Sequence, residues 1–212
     1  MTAVQTALEQ QVILYDVSWD AYRRFNEEHG PQGSTRFTYN EGTLQIMVRG
    51  YEHERLNRLI ASLVEAIAEE WGNDFENAGS NTFQREDLQK GFEPDSCFYL
   101  HQPAAIRGKK RLSLTVDPPP DLVIEIDITN YTLNKLPIFA AVGVPEVWRY
   151  ETDTLKIYQL TAEHYEEAAE SAAFPGVRAT DLTAHIAASQ TLKRTEWLRQ
   201  VRAWARALAP QQ

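Results

Sequence analysis

Three consecutive prolines, Pro118, Pro119 and Pro120, deliver the chain into the stretch DLVIEIDI at 121–128, and that stretch limits the fold more than any other. Proline carries no backbone N–H and biases the residue before it toward extended backbone, so a helix cannot run into this segment. Leu122, Ile124, Ile126 and Ile128 alternate with Asp121, Val123, Glu125 and Asp127. A period of two predicts a strand with its aliphatic side in a hydrophobic core. The other side sets a problem, because a buried carboxylate without a partner costs several kcal/mol. That face is therefore solvated, covered by Lys and Arg side chains, or compensated by a divalent cation, which prefers oxygen ligands. Residues on one side of a strand repeat about every 6.5–7 Å, so Asp121, Glu125 and Asp127 cannot all touch one ion. A site here needs a second strand.

GFEPDSCFYL, residues 91–100, supplies a candidate. Read as one strand, it puts Glu93, Asp95, Cys97 and Tyr99 on a common face, although Pro-Asp is equally at home in a turn. Asp95 on one strand and Glu125 on its neighbour make the carboxylate pair that metal-assisted phosphodiester hydrolysis requires. That chemistry also requires a cation, usually Lys, to steady developing charge or orient the attacking water.

The remaining sequence frames these strands. VSWDAYRRFNEEHG predicts an opening helix stopped by Gly30, and STRFTYNEGTLQIMV a hairpin around Asn40-Glu41-Gly42. YEHERLNRLIASLVEAIAEEW repeats Leu56, Leu59, Ile60, Leu63, Ile67 and Trp71 at helical spacing. Running that stripe backwards puts Glu52 and His53 on the inward side. NKLPIFAAVGV predicts a short helix, PEVWRYETDTLKIYQL two strands around Asp153, TAEHYEEAAES a further strand, and the region after FPGV two helices. The fold class is thus mixed α/β (α+β): a mixed central β-sheet flanked by helices, with an N-terminal helix and hairpin and C-terminal helices.

At 212 residues the chain suits one domain, 1–212, with a core over about 35–160 and a helical extension over about 178–209. No apolar run reaches the roughly 18 residues of a membrane span. No secretory signal is evident, and the single cysteine, Cys97, fits a reducing compartment, so the expectation is a cytoplasmic protein. A net charge of −9 opposes unspecific binding to a polyanion. DNA binding would need local basic patches. Two are visible: RGKKR, with Arg107, Lys109, Lys110 and Arg111, and the terminal set Lys193, Arg194, Arg199, Arg202 and Arg206. The five histidines show no HxxxH or HExxH spacing, and no Gly-rich phosphate loop or GxSxG elbow occurs.

The run EPD…DLVIEIDIT…NKLPIFAAVGVPEVWRY resembles the bacterial restriction-endonuclease-like family of the PD-(D/E)XK nuclease superfamily, from near Thr35 to about Leu160, with GVPEVWRY its most specific piece. The resemblance implies a restriction-endonuclease-like core and Mg²⁺- or Mn²⁺-dependent cleavage of DNA. Asp95 matches the aspartate of the first motif and Glu125 the acidic residue of the second. The superfamily lysine would stand two residues after Glu125, where this chain has Asp127. Lys135, ten residues beyond Glu125, is the candidate replacement, as in relatives whose lysine has migrated. Glu52 corresponds to a glutamate often found in the first core helix and becomes a candidate further metal ligand, with His53, Asp127 and Asp121 as candidate accessories. A homodimer is a further expectation. Two functions stay open at this point: a metal-dependent endonuclease, and a catalytically silent module of the same fold that binds nucleic acid or protein.

Overall fold

The computed structural model describes residues 10–29, 35–128 and 133–210. Two sheets form the frame. The first is antiparallel, with order β1-β3-β2-β6-β5: β1 (Gln10–Leu14), β2 (Thr35–Asn40), β3 (Thr43–Val48), β5 (Phe83–Arg85) and β6 (Lys90–Phe92). The second has order β11-β10-β9-β8-β7-β4: β4 (Glu76–Asn77), β7 (Ser96–Tyr99), β8 (Leu122–Asp127), β9 (Glu146–Glu151), β10 (Thr154–Thr161) and β11 (His164–Ala168). Only β8 and β9 pair in parallel among these strands. A parallel pair needs a crossover, and here it is the helix α3 (Leu136–Val142). The remaining helices are α1 (Trp19–His29), α2 (Tyr51–Trp71), α4 (Ala179–Ala188) and α5 (Arg194–Leu208). This is the mixed, helix-flanked sheet expected from the sequence. Gly30, the expected stop of α1, lies outside the described residues.

Local chemistry accounts for these elements. The β2–β3 hairpin turns on Glu41 and Gly42, both at positive φ (48° and 94°), the geometry of a tight two-residue hairpin turn. The apolar stripe of α2 continues until Gly72, whose left-handed backbone (φ 70°) closes the helix. β8 is buried on both sides. Leu122, Ile124 and Ile126 pack with Leu56, Ile60 and Val64 of α2 and with Trp197 and Val201 of α5. Val123 joins Phe83, Phe92, Phe139 and Val147 in a second core on the opposite face. A solvated acidic face is therefore excluded.

GFEPDSCFYL is not one strand. β6 ends at Phe92 in the first sheet and β7 begins at Ser96 in the second, so Glu93, Pro94 and Asp95 carry the chain between sheets. Pro94 cannot donate to a ladder, which favours the break at this point. β1, β4, β5 and β6 were not anticipated from sequence; three of them are two or three residues long, too short to show alternation.

Candidate active site

Asp95 sits at that crossover and is 2% exposed. Ser96 pairs with Ile124 in the antiparallel β7–β8 ladder, so one step further sets Asp95 level with Glu125. Its Oδ2 accepts the backbone N–H of Ile126 at 2.8 Å. Its Oδ1 lies 2.8 Å from His53 Nε2 and 3.3 Å from Arg49 Nη1. The Asp95 carbonyl accepts from Asn57 Nδ2 at 2.9 Å, and the Asn57 side-chain oxygen accepts from the Ser96 hydroxyl at 2.8 Å. Backbone and side chain are both fixed, by α2 and β8.

Glu125, 7% exposed, projects on the side of β8 opposite the α2 core. Lys135, the residue preceding α3, places its ammonium 2.6 Å from Glu125 Oε2. Glu125 Oε1 is buried and has no hydrogen-bond partner among the described residues. Burial pushes the Glu125 carboxyl up to about 7; the Asp95 charge adds to the rise, and Lys135 opposes it. Burial also works to raise Asp95, but His53, Lys135 and Arg49 together hold it well below the usual carboxylate range. Lys135 moves upward, because Glu125 and Asp95 outweigh the burial that would lower it. Two adjacent carboxylates are thus driven apart, one firmly ionised and one near neutrality, beside a charged lysine.

The other sequence candidates go elsewhere. Glu52 does not face inward: it forks with Arg55 at 2.7 and 2.8 Å on the flank of α2, and neither carboxylate of the cluster is among its contacts. Its neighbour His53 takes the inward position, fully buried. Asp121 is spent on the chain after β7, its Oδ2 accepting the N–H groups of Leu100 and His101 at 2.7 and 2.9 Å. Asp127 lies 2.5 Å from Arg149 Nη2 on the parallel neighbour β9. In the basic loop, Arg107 is held by Asp74 and Glu76 and Lys109 by Asp117, whereas Lys110 and Arg111 are exposed. Arg49 was missed from sequence. It follows β3 as an isolated arginine and shows no pattern, yet it bridges Asp95 and Glu54 with its side chain 4% exposed.

Whether this cluster suits a divalent cation turns on Glu125 Oε1. A buried carboxylate oxygen without a donor among the described residues, next to a second carboxylate, offers one hard ligand atom that is unsatisfied. Among the described residues no group of three or more His, Cys, Asp or Glu side chains could hold a metal. Mg²⁺ does not need one: it keeps several waters and is commonly held by one or two carboxylates plus substrate phosphate. The residues fit such an ion.

Comparison with known proteins agrees with the fold. Residues 19–186 match the model of the Uma2 family, described as "Putative restriction endonuclease". Among solved structures, the chain is similar to one titled as a "putative nuclease belonging to DUF820 from Anabaena variabilis ATCC 29413", with a TM-score of 0.52 and 14% identity over 89% of this chain and 99% of that one. At that identity the likeness concerns the fold. No curated protein matches the chain.

Proposed function

The chain belongs to the Uma2 family of restriction-endonuclease-like proteins, and from that premise we propose that it is a Mg²⁺- or Mn²⁺-dependent endonuclease hydrolysing phosphodiester bonds of DNA. The observation that carries the proposal is the buried triad of Asp95, Glu125 and Lys135, with one Glu125 oxygen left without a donor. Asp95 and Glu125 would hold the cation, which when bound supplies positive charge at the scissile phosphate and lowers the pKa of water. Lys135 keeps its proton in this setting, so its part is to stabilise negative charge on the phosphate and to orient the attacking water. His53 and Arg49 position the Asp95 carboxylate from behind, the Ile126 N–H fixes its other oxygen, and Asn57 holds the Asp95 backbone carbonyl.

A silent binding module is favoured by one observation: Arg49, His53 and Lys135 already neutralise both carboxylates. The two readings separate in one experiment. Supercoiled plasmid is incubated with the wild-type chain, Asp95→Asn and Glu125→Gln, in Mg²⁺, in Mn²⁺ and in chelator, with Mn²⁺ binding measured by calorimetry. Nicking that needs metal and disappears in both variants, together with weaker Mn²⁺ binding, supports the nuclease. Wild-type protein that neither binds Mn²⁺ nor nicks DNA removes it.

A further inference from the structure

The nuclease proposal leaves open how a chain of net charge −9 holds a polyanion. The basic loop is a poor answer, since acids already occupy Arg107 and Lys109. Two residues of the C-terminal basic set are no better placed: Arg202 and Arg206 are engaged by Glu69 and Glu70 of α2. Arg194, at the start of α5, differs.

A cavity of about 600 Å³ opens over Asp95, and Arg36, Arg49, Arg58 and Arg194 line its walls. Arg36 is paired with Glu93, and Arg49 is bound to Glu54 and Asp95. Arg58 and Arg194 are exposed and form no salt bridge among the described residues, although the Glu65 charge reaches Arg194 across the cavity. Of the carboxylates lining the same cavity, Glu54 is bound to Arg49, Glu65 accepts from Asn77 at 2.8 Å, and Asp95 belongs to the candidate metal site. The same two arginines also line a neighbouring cavity of about 590 Å³ with Tyr51, Leu59, Leu192 and Trp197, so they stand on the ridge between the two spaces.

Arg194 is also held in place. Its Nη2 donates to Ser62 Oγ at 2.6 Å, and its guanidinium lies 4.5 Å from the centre of the Trp197 ring. Ser62 is one helical turn beyond Arg58 and donates to the Arg58 carbonyl at 2.7 Å, which ties the α5 arginine to the α2 arginine's own face. A guanidinium has five N–H donors and Ser62 takes one, which leaves donors for phosphate oxygens. Arg194 lies outside the 19–186 stretch that matches the family model, so this wall of the groove comes from the C-terminal helix.

We infer that the groove walled by Arg58 and Arg194 seats the phosphodiester backbone of the DNA strand and leads it to Asp95. The inference rests on the nuclease proposal and can fail separately from it.

The test reads DNA binding and cleavage apart. Binding of a fluorescein-labelled 20-base-pair duplex is followed by anisotropy across a salt series in the Asp95→Asn background, where the duplex stays intact, and cleavage is followed in the otherwise wild-type chain. Arg58→Gln/Arg194→Gln should weaken binding and lower the slope of log affinity against log salt by about 1.8, two phosphate contacts' worth. Arg58→Lys/Arg194→Lys should keep most of that slope, and thermal melts should show both doubles folded. If the wild type cleaves and the slope is unchanged in the glutamine double, or falls only in Lys110→Gln/Arg111→Gln, the groove inference is overturned while the nuclease proposal stands. If the slope falls as expected but the wild type never cleaves, the groove binds DNA and the nuclease proposal is lost. Absence of any duplex binding overturns the groove inference.

Discussion

Lys135 Nζ sits 2.6 Å from Glu125 Oε2, and the two side chains are 9% exposed each. The lysine comes from the start of the crossover helix, yet it reaches the acidic residue of β8 from the same side that a lysine two residues after Glu125 would occupy. Lys135→Met keeps the length and packing of the stem and removes the charge. Cleavage should fall by about 10²-fold or more, the scale of losing one transition-state charge contact. Because Lys135 competes with a cation for Glu125, Mn²⁺ affinity should hold or rise in the same variant. Lys135→Arg should recover only part of the rate, since a planar guanidinium does not replace a compact ammonium at this distance. An unchanged rate in Lys135→Met would reduce the lysine to a structural counter-ion.

A second prediction concerns stability rather than catalysis. Glu146, 1% exposed at the start of β9, accepts from Trp148 Nε1 at 2.7 Å, from Ser171 Oγ at 2.6 Å and from the Ala172 N–H at 2.6 Å. It fastens the segment after β11 to the central sheet. Glu146→Ala strands several buried donors, each at about 1–3 kcal/mol. The expected loss is about 3 kcal/mol or more, read from urea unfolding at constant slope. A loss under about 1 kcal/mol would mean that water replaces the carboxylate without cost.

These two residues mark what could be read in the sequence. The alternation of β8, the stripe of α2 and the helix at Leu136 were legible because each spans enough residues to show its period. Glu125 was legible for the same reason, whereas Asp95 was read on a strand that breaks at Pro94 and yet lies level with Glu125. GVPEVWRY was recognisable, but its chemistry was not: Glu146 acts as a structural clamp, Trp148 fills the core and Arg149 takes Asp127. Arg49 and the outward turn of Glu52 were illegible. Both depend on which partner lies across space, Asp95 for one and Arg55 for the other, and neither leaves a periodic trace.

The third prediction is a pH dependence. His185 of α4 lies half-buried against Trp204, with ring centres 4.6 Å apart. Burial lowers its pKa, and Asp181 opposes this only in part. The unfolded chain therefore takes up a proton at His185 before the folded chain does. This group's contribution to stability is full above the unfolded value of about 6.5 and is lost as pH falls below it. His185→Phe should flatten the melting-temperature profile between about pH 7 and 5. A profile as steep as the wild type's would assign the slope to other groups.

The last prediction tests why the motif lysine is absent from its usual place. Asp127 occupies that position and lies 2.5 Å from Arg149, whose guanidinium also contacts Glu151 at 3.1 Å. Asp127 and Lys135 line the same narrow cleft beside Glu125, so a cation from either position has access to the same space. Asp127→Lys alone would set two cations against each other across β8 and β9, and it should destabilise the chain and leave Lys135→Met unrescued. Removing Arg149 as well changes the balance. In Asp127→Lys/Arg149→Met/Lys135→Met the new lysine has no arginine opposite it and shares the cleft beside Glu125, with Glu151, still bound to Lys156, as its cross-strand neighbour. Cleavage should recover by about tenfold or more over Lys135→Met alone, part of the roughly 10² lost with the contact. Arg149→Met/Lys135→Met, without the new lysine, should recover nothing. Equal rates in the triple and double variants would mean that the cation must come from the helix start, because only Lys135 approaches Glu125 from the correct direction.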